Sequence, residues 1–331
     1  MRHSPGDPAA NGWLTLDTPS GHRKTRRQLT VLTVAASRAA WAWGRRTHID
    51  KPLNCHDYAA GVFRMSSVSI IVPAYNESVR LQRTLPALSE AISGWARSWA
   101  SVEVVLVDDG STDGTAEVAA SLLAQTTHCV ISLPENRGKG EALRAGVLAA
   151  SGSAIVLMDA DLSADIELTP QLVAQLDLAD LALGSRHHPD ADARYYNSVR
   201  AVVSKAFNYY VRFVTGIRVS DTQCGFKAMR RSAALTLMGA SKVQGFAGDV
   251  ELVALAEQLG MVITELPVRW QDVHGSKVRL VRDSFSMAAE VYRVDRRLRR
   301  QRRMGVTPGI SPKRRALPDY IVASALDINR R

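Results

Sequence analysis

From residue 68 the chain alternates solid apolar runs with amphipathic segments. VSIIVP (68–73), VEVVLVDDG (102–110), CVISL (129–133) and AIVLMDAD (154–161) carry aliphatic side chains at consecutive positions, as strands buried on both faces do. Between them, SVRLQRTLPALSEAISGWA sets Leu81, Leu85, Leu88 and Ile92 on one stripe at helical spacing, and TAEVAASLLAQ and GEALRAGVLAAS read as further helices. This alternation predicts an α/β, doubly wound domain with a mostly parallel central sheet flanked by helices on both faces.

In such sheets ligands bind outside the carboxyl ends of the strands. The polar clusters fall there: PAYNES after the first strand, DDGSTDGT after the second, PENRGKG after the third and DADLSAD after the fourth. Four loops would therefore face one cleft. Asp108 and Asp109 suit hydrogen bonds from a nucleoside, while Ser111, Thr112 and Asp113 equally suit the start of a helix. Arg137 and Lys139 stand among glycines that let a phosphate approach the backbone, although neither G-x-x-x-x-G-K-[ST] nor G-x-G-x-x-G is present.

Asp159 and Asp161 carry the sharpest chemical signal. Side chains two apart in an extended segment share a face, so these carboxylates would repel unless a cation or a shared proton lies between them. With no His or Cys beside them and a phosphate site expected nearby, Mg2+ or Mn2+ is the expected cofactor. The plainer alternative is one solvated aspartate and one helix cap.

Charge is unevenly spread. The chain of 331 residues has net charge +10, but residues 1–64 hold ten Lys/Arg against four Asp/Glu and residues 293–331 hold twelve against three, around an acidic body. Basic ends on an acidic body fit an anionic membrane surface, and no nucleic-acid-binding motif is present, so no specific nucleic acid is expected. The apolar run LTVLTVAASRAAWAW (29–43) is broken by Arg38 and falls short of the roughly 20 residues a membrane span needs, so it reads as interfacial or loose. Three cysteines, Cys55, Cys129 and Cys224, lack metal spacing and imply a reducing compartment.

Taken together, SIIVPAYNES, VVLVDDGSTDGT, NRGKGEALRAG, VLMDADLS, GSR (184–186) and DTQCGFKAMR (221–230) resemble the family 2 GT-A glycosyltransferases. The nearest resemblance is to the dolichyl-phosphate β-glucosyltransferase branch, related to the dolichyl-phosphate mannose synthases. The resemblance implies that Pro73, Tyr75 and Glu77 grip the nucleotide and that Asp109 lies near the base. It further implies that Asp159, Ala160 and Asp161 form the D-x-D element holding nucleotide and metal, and that Arg186 contacts the nucleotide sugar. Lys277 of HGSK would stand near the diphosphate, with Arg269 or His274 filling a second phosphate-facing place. Asp221 and Gln223 would shape the site, and Asp249 would act as base or acceptor-positioning carboxylate. The implied activity is inverting transfer of glucose from UDP-glucose to a polyprenyl or dolichyl phosphate. Mannosyl transfer from GDP-mannose, transfer to a soluble hydroxyl, and non-catalytic nucleotide-sugar binding are the alternatives.

The resulting plan has a basic extension (1–65), a catalytic domain (66–280), an amphipathic basic helix (281–303) and a tail (304–331). In the helix, Leu280, Met287, Val291, Val294 and Leu298 form an apolar stripe and seven arginines crowd positions 293–303, which reads as an interfacial anchor. NSVRAVVSKAFNYYVRFVTG (197–216) mixes apolar and basic residues and suits either core packing or a lipid-borne phosphate. The expected location is peripheral, on the cytoplasmic face of a membrane.

Overall fold

The computed structural model describes residues 48–49, 65–95, 97–195, 198–272, 280–305 and residue 308. The apolar runs form β2 (Ser67–Ala74), β3 (Ser101–Asp108), β4 (His128–Ser132) and β5 (Ala154–Leu157), separated by helices α1 (Ser78–Gly94), α2 (Thr115–Leu122) and α3 (Lys139–Ala149). These four strands pair in parallel, β2 lying between β3 and β5 and β4 outside β3. Within β3, Val104 and Leu106 point to one buried face and Val105 and Val107 to the other. Neither face meets water, which is why the runs are solid rather than alternating.

The second half extends the same sheet past β5. Strands β6 (Leu181–Ser185), β8 (Lys227–Arg230) and β9 (Ile263–Pro267) bring it to eight strands in the order β1-β9-β6-β8-β5-β2-β3-β4, with β1 at His48–Ile49. Only β8 runs antiparallel to its neighbours, β5 and β6. A separate two-stranded ribbon joins β7 (Asp192–Arg194) to β10 (Arg269–Gln271). Helices α1, α2 and α4 (Thr169–Ala174) cover one face of the main sheet; α3, α6 (Arg231–Ala240) and α7 (Gly248–Gln258) cover the other, together with the inner sides of α5 (Ser198–Thr215) and α8 (Leu280–Arg303).

Three sequence expectations change. His48 and Ile49 pair in parallel with β9, so part of the expected extension belongs to the sheet edge. Strand β5 stops at Leu157, so Asp159 and Asp161 lie in a turn closed by Leu162 N–H donating to Asp159 O at 3.1 Å, with Leu162 at φ 51°. Helix α8 is part of the catalytic body: Val291, Val294 and Leu298 are buried in the core that α8 shares with α5 and α7. Tyr210 Oη donates to Ala288 O at 3.0 Å, and Arg297 pairs with the buried Glu251. Val291, Val294 and Leu298 of the apolar stripe expected at an interface are therefore covered by protein, while Met287 lines the cleft described below. No helix among the described residues is long and apolar enough to cross a membrane.

Candidate active site

The loops following β2, β3, β4 and β5 converge on a cleft of about 560 Å³ at the carboxyl ends of the strands. It is lined by Pro73, Tyr75, Glu77, Asp109, Lys139, Asp159, Ala160, Asp161, Arg186, Gln223 and Asp249, whereas Asp108, Arg137, Asp221 and Arg269 stand outside its lining. Lys277 and His274 lie outside the described residues.

Hydrogen bonds between loops set this geometry. Ser111 Oγ and Thr115 Oγ1 accept from Asn76 N–H (2.8 Å) and Glu77 N–H (2.9 Å), and Asp113 Oδ2 accepts from Ser78 N–H at 3.1 Å. The Ser78 N–H that opens α1, like the two N–H groups just before it, is thus satisfied from the neighbouring loop, and Glu77 at the N-cap makes no side-chain cap bond. Asp109 accepts from the N–H groups of Arg137 and Gly138, both at 2.8 Å, and so clasps the third loop as well as walling the cleft. Burial pushes its carboxyl above the usual range, against those two bonds. Glu77 is held by Arg80 Nη1 at 2.9 and 2.8 Å.

Asp159 and Asp161 both face the cleft, and Asp161 Oδ1 accepts from Ser163 N–H at 3.0 Å. Among the described residues no His or Cys lines this space and no three metal-binding side chains cluster. Two carboxylates without a third protein ligand fit a hard cation that completes its shell with phosphate oxygens and water. Close packing excludes a side chain beside the first of them: a Cβ at Gly225 would stand 2.0 Å from Asp159 Oδ2.

Opposite them, Lys139 Nζ reaches Asp159 Oδ1 at 2.8 Å and Asp249 Oδ2 at 3.2 Å. Burial opposes the charge on Lys139, but these carboxylates outweigh it and hold the ammonium protonated. Burial likewise works against ionised Asp249, and Lys139 and Lys227 outweigh it, keeping that carboxyl below the usual range. Arg186 forms a two-pronged pair with buried Asp221, Nε to Oδ2 at 2.7 Å and Nη2 to Oδ1 at 3.0 Å, and lies 5.4 Å over the Trp270 ring. Behind it the Cys224 thiol, buried and beside Asp221, is pushed up to about 11, which leaves it unreactive.

Residues 69–237, half of the chain, match the family described as Glycosyl transferase family 2. The chain belongs to that family. It is 31% identical over 239 residues to a protein of Dictyostelium discoideum named dolichyl-phosphate beta-glucosyltransferase, across 69% of this chain and 73% of that one. A Drosophila melanogaster protein of the same name is 38% identical over 226 residues, across 64% and 69%. The glucosyl-3-phosphoglycerate synthase of Mycobacterium tuberculosis, solved with Mn2+, uridine diphosphate and glucosyl-3-phosphoglycerate, aligns with a TM-score of 0.50 at 22% identity, across 73% of this chain and 81% of that one. The fold is GT-A, and the protein is a glycosyltransferase.

Two side chains of this glycosyltransferase differ from the sequence expectation. Arg269 turns away to pair with Asp165 and does not line the cleft, so it does not take the second phosphate-facing place. Arg137 pairs with Glu135 at 3.2 Å, outside the charged centre that Lys139 occupies. Sequence reasoning passed over Lys227 and Trp270. Lys227 is 1% exposed, donating to Asp249 Oδ1 at 2.7 Å and to Cys224 O. A lysine set among the apolar Phe226, Ala228 and Met229 at the start of β8 was the available signal, since buried lysines are rare unless paired. Trp270 packs against Tyr195 at 5.2 Å between ring centroids and gives the Arg186 guanidinium a flat support.

Proposed function

We propose that this glycosyltransferase moves glucose from UDP-glucose to a dolichyl or other polyprenyl phosphate, with inversion, giving a β-linked lipid-phosphate sugar. The observation that carries the reading is the mixed lining of the cleft, which holds charged Asp159, Asp161, Arg186 and Lys139 together with apolar Val203, Phe207, Phe246 and Met287. The charged groups suit a sugar diphosphate, and the apolar ones suit the start of a lipid chain bearing the attacking phosphate. The relatives named dolichyl-phosphate beta-glucosyltransferase support the same pairing.

In this reading Pro73, Tyr75, Glu77 and Asp109 bind the nucleoside, while Asp159, Ala160 and Asp161 present the diphosphate with Mg2+ or Mn2+. The cation supplies charge neutralisation of the departing nucleoside diphosphate. Arg186, held flat by Asp221 and Trp270, orients the donor sugar, and Lys277 stands near the diphosphate. Lys139 faces the donor's diphosphate, and Asp249 positions the acceptor phosphate. An acceptor oxygen attacks the anomeric carbon, the bond from that carbon to the diphosphate oxygen breaks, and the diphosphate leaves with the electron pair. A phosphate acceptor is already ionised, so Asp249 orients and no proton need be removed. Fixed charges aimed at the leaving group carry most of the acceleration.

The proposed location is the cytoplasmic face of a membrane, where a nucleotide sugar and a lipid acceptor meet. Helix α5 supports it: its inner side lines the cleft through Val203, Ser204 and Phe207, while Val199, Val202, Tyr209 and Phe213 stay exposed beside Lys205 and Arg212. That face suits an anionic bilayer.

The test is incubation of the protein with polyprenyl phosphate and radiolabelled UDP-glucose or GDP-mannose, with and without Mg2+. Label is expected in the lipid phase from UDP-glucose and is lost on chelation. Label from GDP-mannose alone would move the donor assignment. Failure of every donor to label lipid, beside glycosylation of a soluble alcohol, would sink the lipid reading.

A further inference from the structure

Four charged groups in and behind the cleft form a chain of ion pairs. Lys227 Nζ donates to Asp249 Oδ1 at 2.7 Å, Asp249 Oδ2 faces Lys139 Nζ at 3.2 Å, and Lys139 Nζ reaches Asp159 Oδ1 at 2.8 Å. Two ammonium groups alternate with two carboxylates, so the buried charges of Lys227 and Asp249 are compensated in a run that ends at the more exposed Asp159. The outer end of the run, Asp159, is also a carboxylate to which the proposed function assigns a divalent cation. That oxygen already carries a positive partner. A dication such as Mg2+ binds a carboxylate oxygen at about 2.0–2.1 Å, so an ammonium on the same oxygen would stand within a few ångströms of it and repel it.

The two partners of this ion pair are not equally free. The Asp159 carboxylate lies against Gly225, where even a methyl carbon would overlap it, and is 40% exposed on its other side. The backbone around Lys139 is also fixed: Gly140 N–H donates to Gln244 O at 2.6 Å, and a Cβ at Gly138 would meet that oxygen at 2.6 Å. The Lys139 side chain is the longer and more adaptable of the two, and Asp249 is a second acceptor already within its reach.

We infer that Lys139 is a resident counter-ion for the D-x-D carboxylate, holding Asp159 in the empty cleft, opposing a divalent cation that arrives alone, and withdrawing to Asp249 when the cation arrives with a nucleoside diphosphate. The inference rests on the reading of Asp159 and Asp161 as cation ligands. The diphosphate brings negative charge that offsets repulsion between the ammonium and the cation, which couples the two affinities reciprocally. Lys227 is the positioning residue behind this exchange, since it keeps Asp249 aimed at Lys139.

The experiment titrates Mn2+ into the full chain and reads free Mn2+ by electron paramagnetic resonance, without nucleotide, with UDP and with GDP. Wild type is expected to bind Mn2+ at least about tenfold more tightly with its nucleotide than without. Lys139→Met is expected to raise nucleotide-free Mn2+ affinity at least about tenfold and to shrink the nucleotide effect accordingly. Lys139→Gln repeats the test with a second neutral side chain, Lys139→Arg restores wild-type behaviour, and Asp161→Asn added to Lys139→Met removes the gain. Unchanged or weaker nucleotide-free affinity in both neutral variants, beside nucleotide-dependent binding in wild type, overturns the inference and leaves the cation reading standing. Absence of Mn2+ binding by wild type with either nucleotide overturns both together.

Discussion

Single side chains in this cleft do separable jobs, and substitutions tell them apart. Asp161 accepts one backbone hydrogen bond within its own turn and supports no other element. Asp161→Ala is therefore expected to leave the thermal transition nearly unchanged and to lower Mg2+-dependent transfer by more than about 100-fold, the scale of several kcal/mol of lost charge stabilisation. Normal transfer in that variant would remove it from the cation site. Asp221 is the opposite case, since it is buried and pins both the side chain and the backbone N–H of Arg186. Leaving that guanidinium without its charged partner costs about 3 kcal/mol, so Asp221→Asn is expected to lower Tm by roughly 6–12 °C and to raise KM for the donor. Burial works against ionised Asp221, but Arg186 outweighs it and holds the carboxyl well below the usual range. A depressed pKa gives stability that is complete above the unfolded value near 4 and is lost as pH falls through the folded one. Urea denaturation should accordingly give the same wild-type advantage over Asp221→Asn at pH 7 and pH 5, shrinking only below about pH 4.

At the scale of elements, α8 separates what an amphipathic pattern reports from what it leaves open. Spacing announces that Val291, Val294 and Leu298 share a buried face, and they do, but it does not say whether lipid or protein covers them. Because the cover is α5 and α7, Leu298→Ala is expected to destabilise the lipid-free protein by about 2–5 kcal/mol in urea unfolding. Tyr292→Ser, on the exposed side of the same helix, is expected to change stability by less than about 0.5 kcal/mol. Equal, small effects from both would return the helix to an interfacial role. Strands β2 to β5 were legible because each apolar run is followed within a few residues by a polar loop carrying Asp or Asn, which fixed both the sheet and the side on which its loops gather. The turn at Asp159 was less so, since an apolar run does not mark where its strand stops and Leu162 adopts a positive φ that leucine rarely takes. Lys227 was illegible as a partner of Asp249 because that contact joins the start of β8 to the first turn of α7, and the pairing exists only once the sheet has folded.

For the whole molecule, the proposed membrane contact turns on two forces with different signatures. Val202 and Phe213 are 65% and 78% exposed on α5, beside exposed Lys205 and Arg212 and on the same helix as the cleft-lining Phe207. Burying an aliphatic or aromatic side chain contributes about 1.5–3 kcal/mol, and a basic residue near anionic lipid about 1 kcal/mol. The apolar share is indifferent to salt, whereas the basic share fades as the screening length shrinks from about 10 Å at 0.1 M to about 3 Å at 1 M. Co-sedimentation with phosphatidylserine vesicles is thus expected to exceed that with phosphatidylcholine vesicles and to weaken, without vanishing, as salt rises. Val202→Asp with Phe213→Asp removes the apolar share and sets acid against the lipid, so vesicle affinity is expected to fall more than about tenfold at any salt. Neither residue lines the cleft, so KM for the nucleotide sugar should hold steady while KM for a vesicle-borne acceptor rises. Vesicle binding undiminished in that variant would detach α5 from the membrane and leave the basic chain ends as its contact.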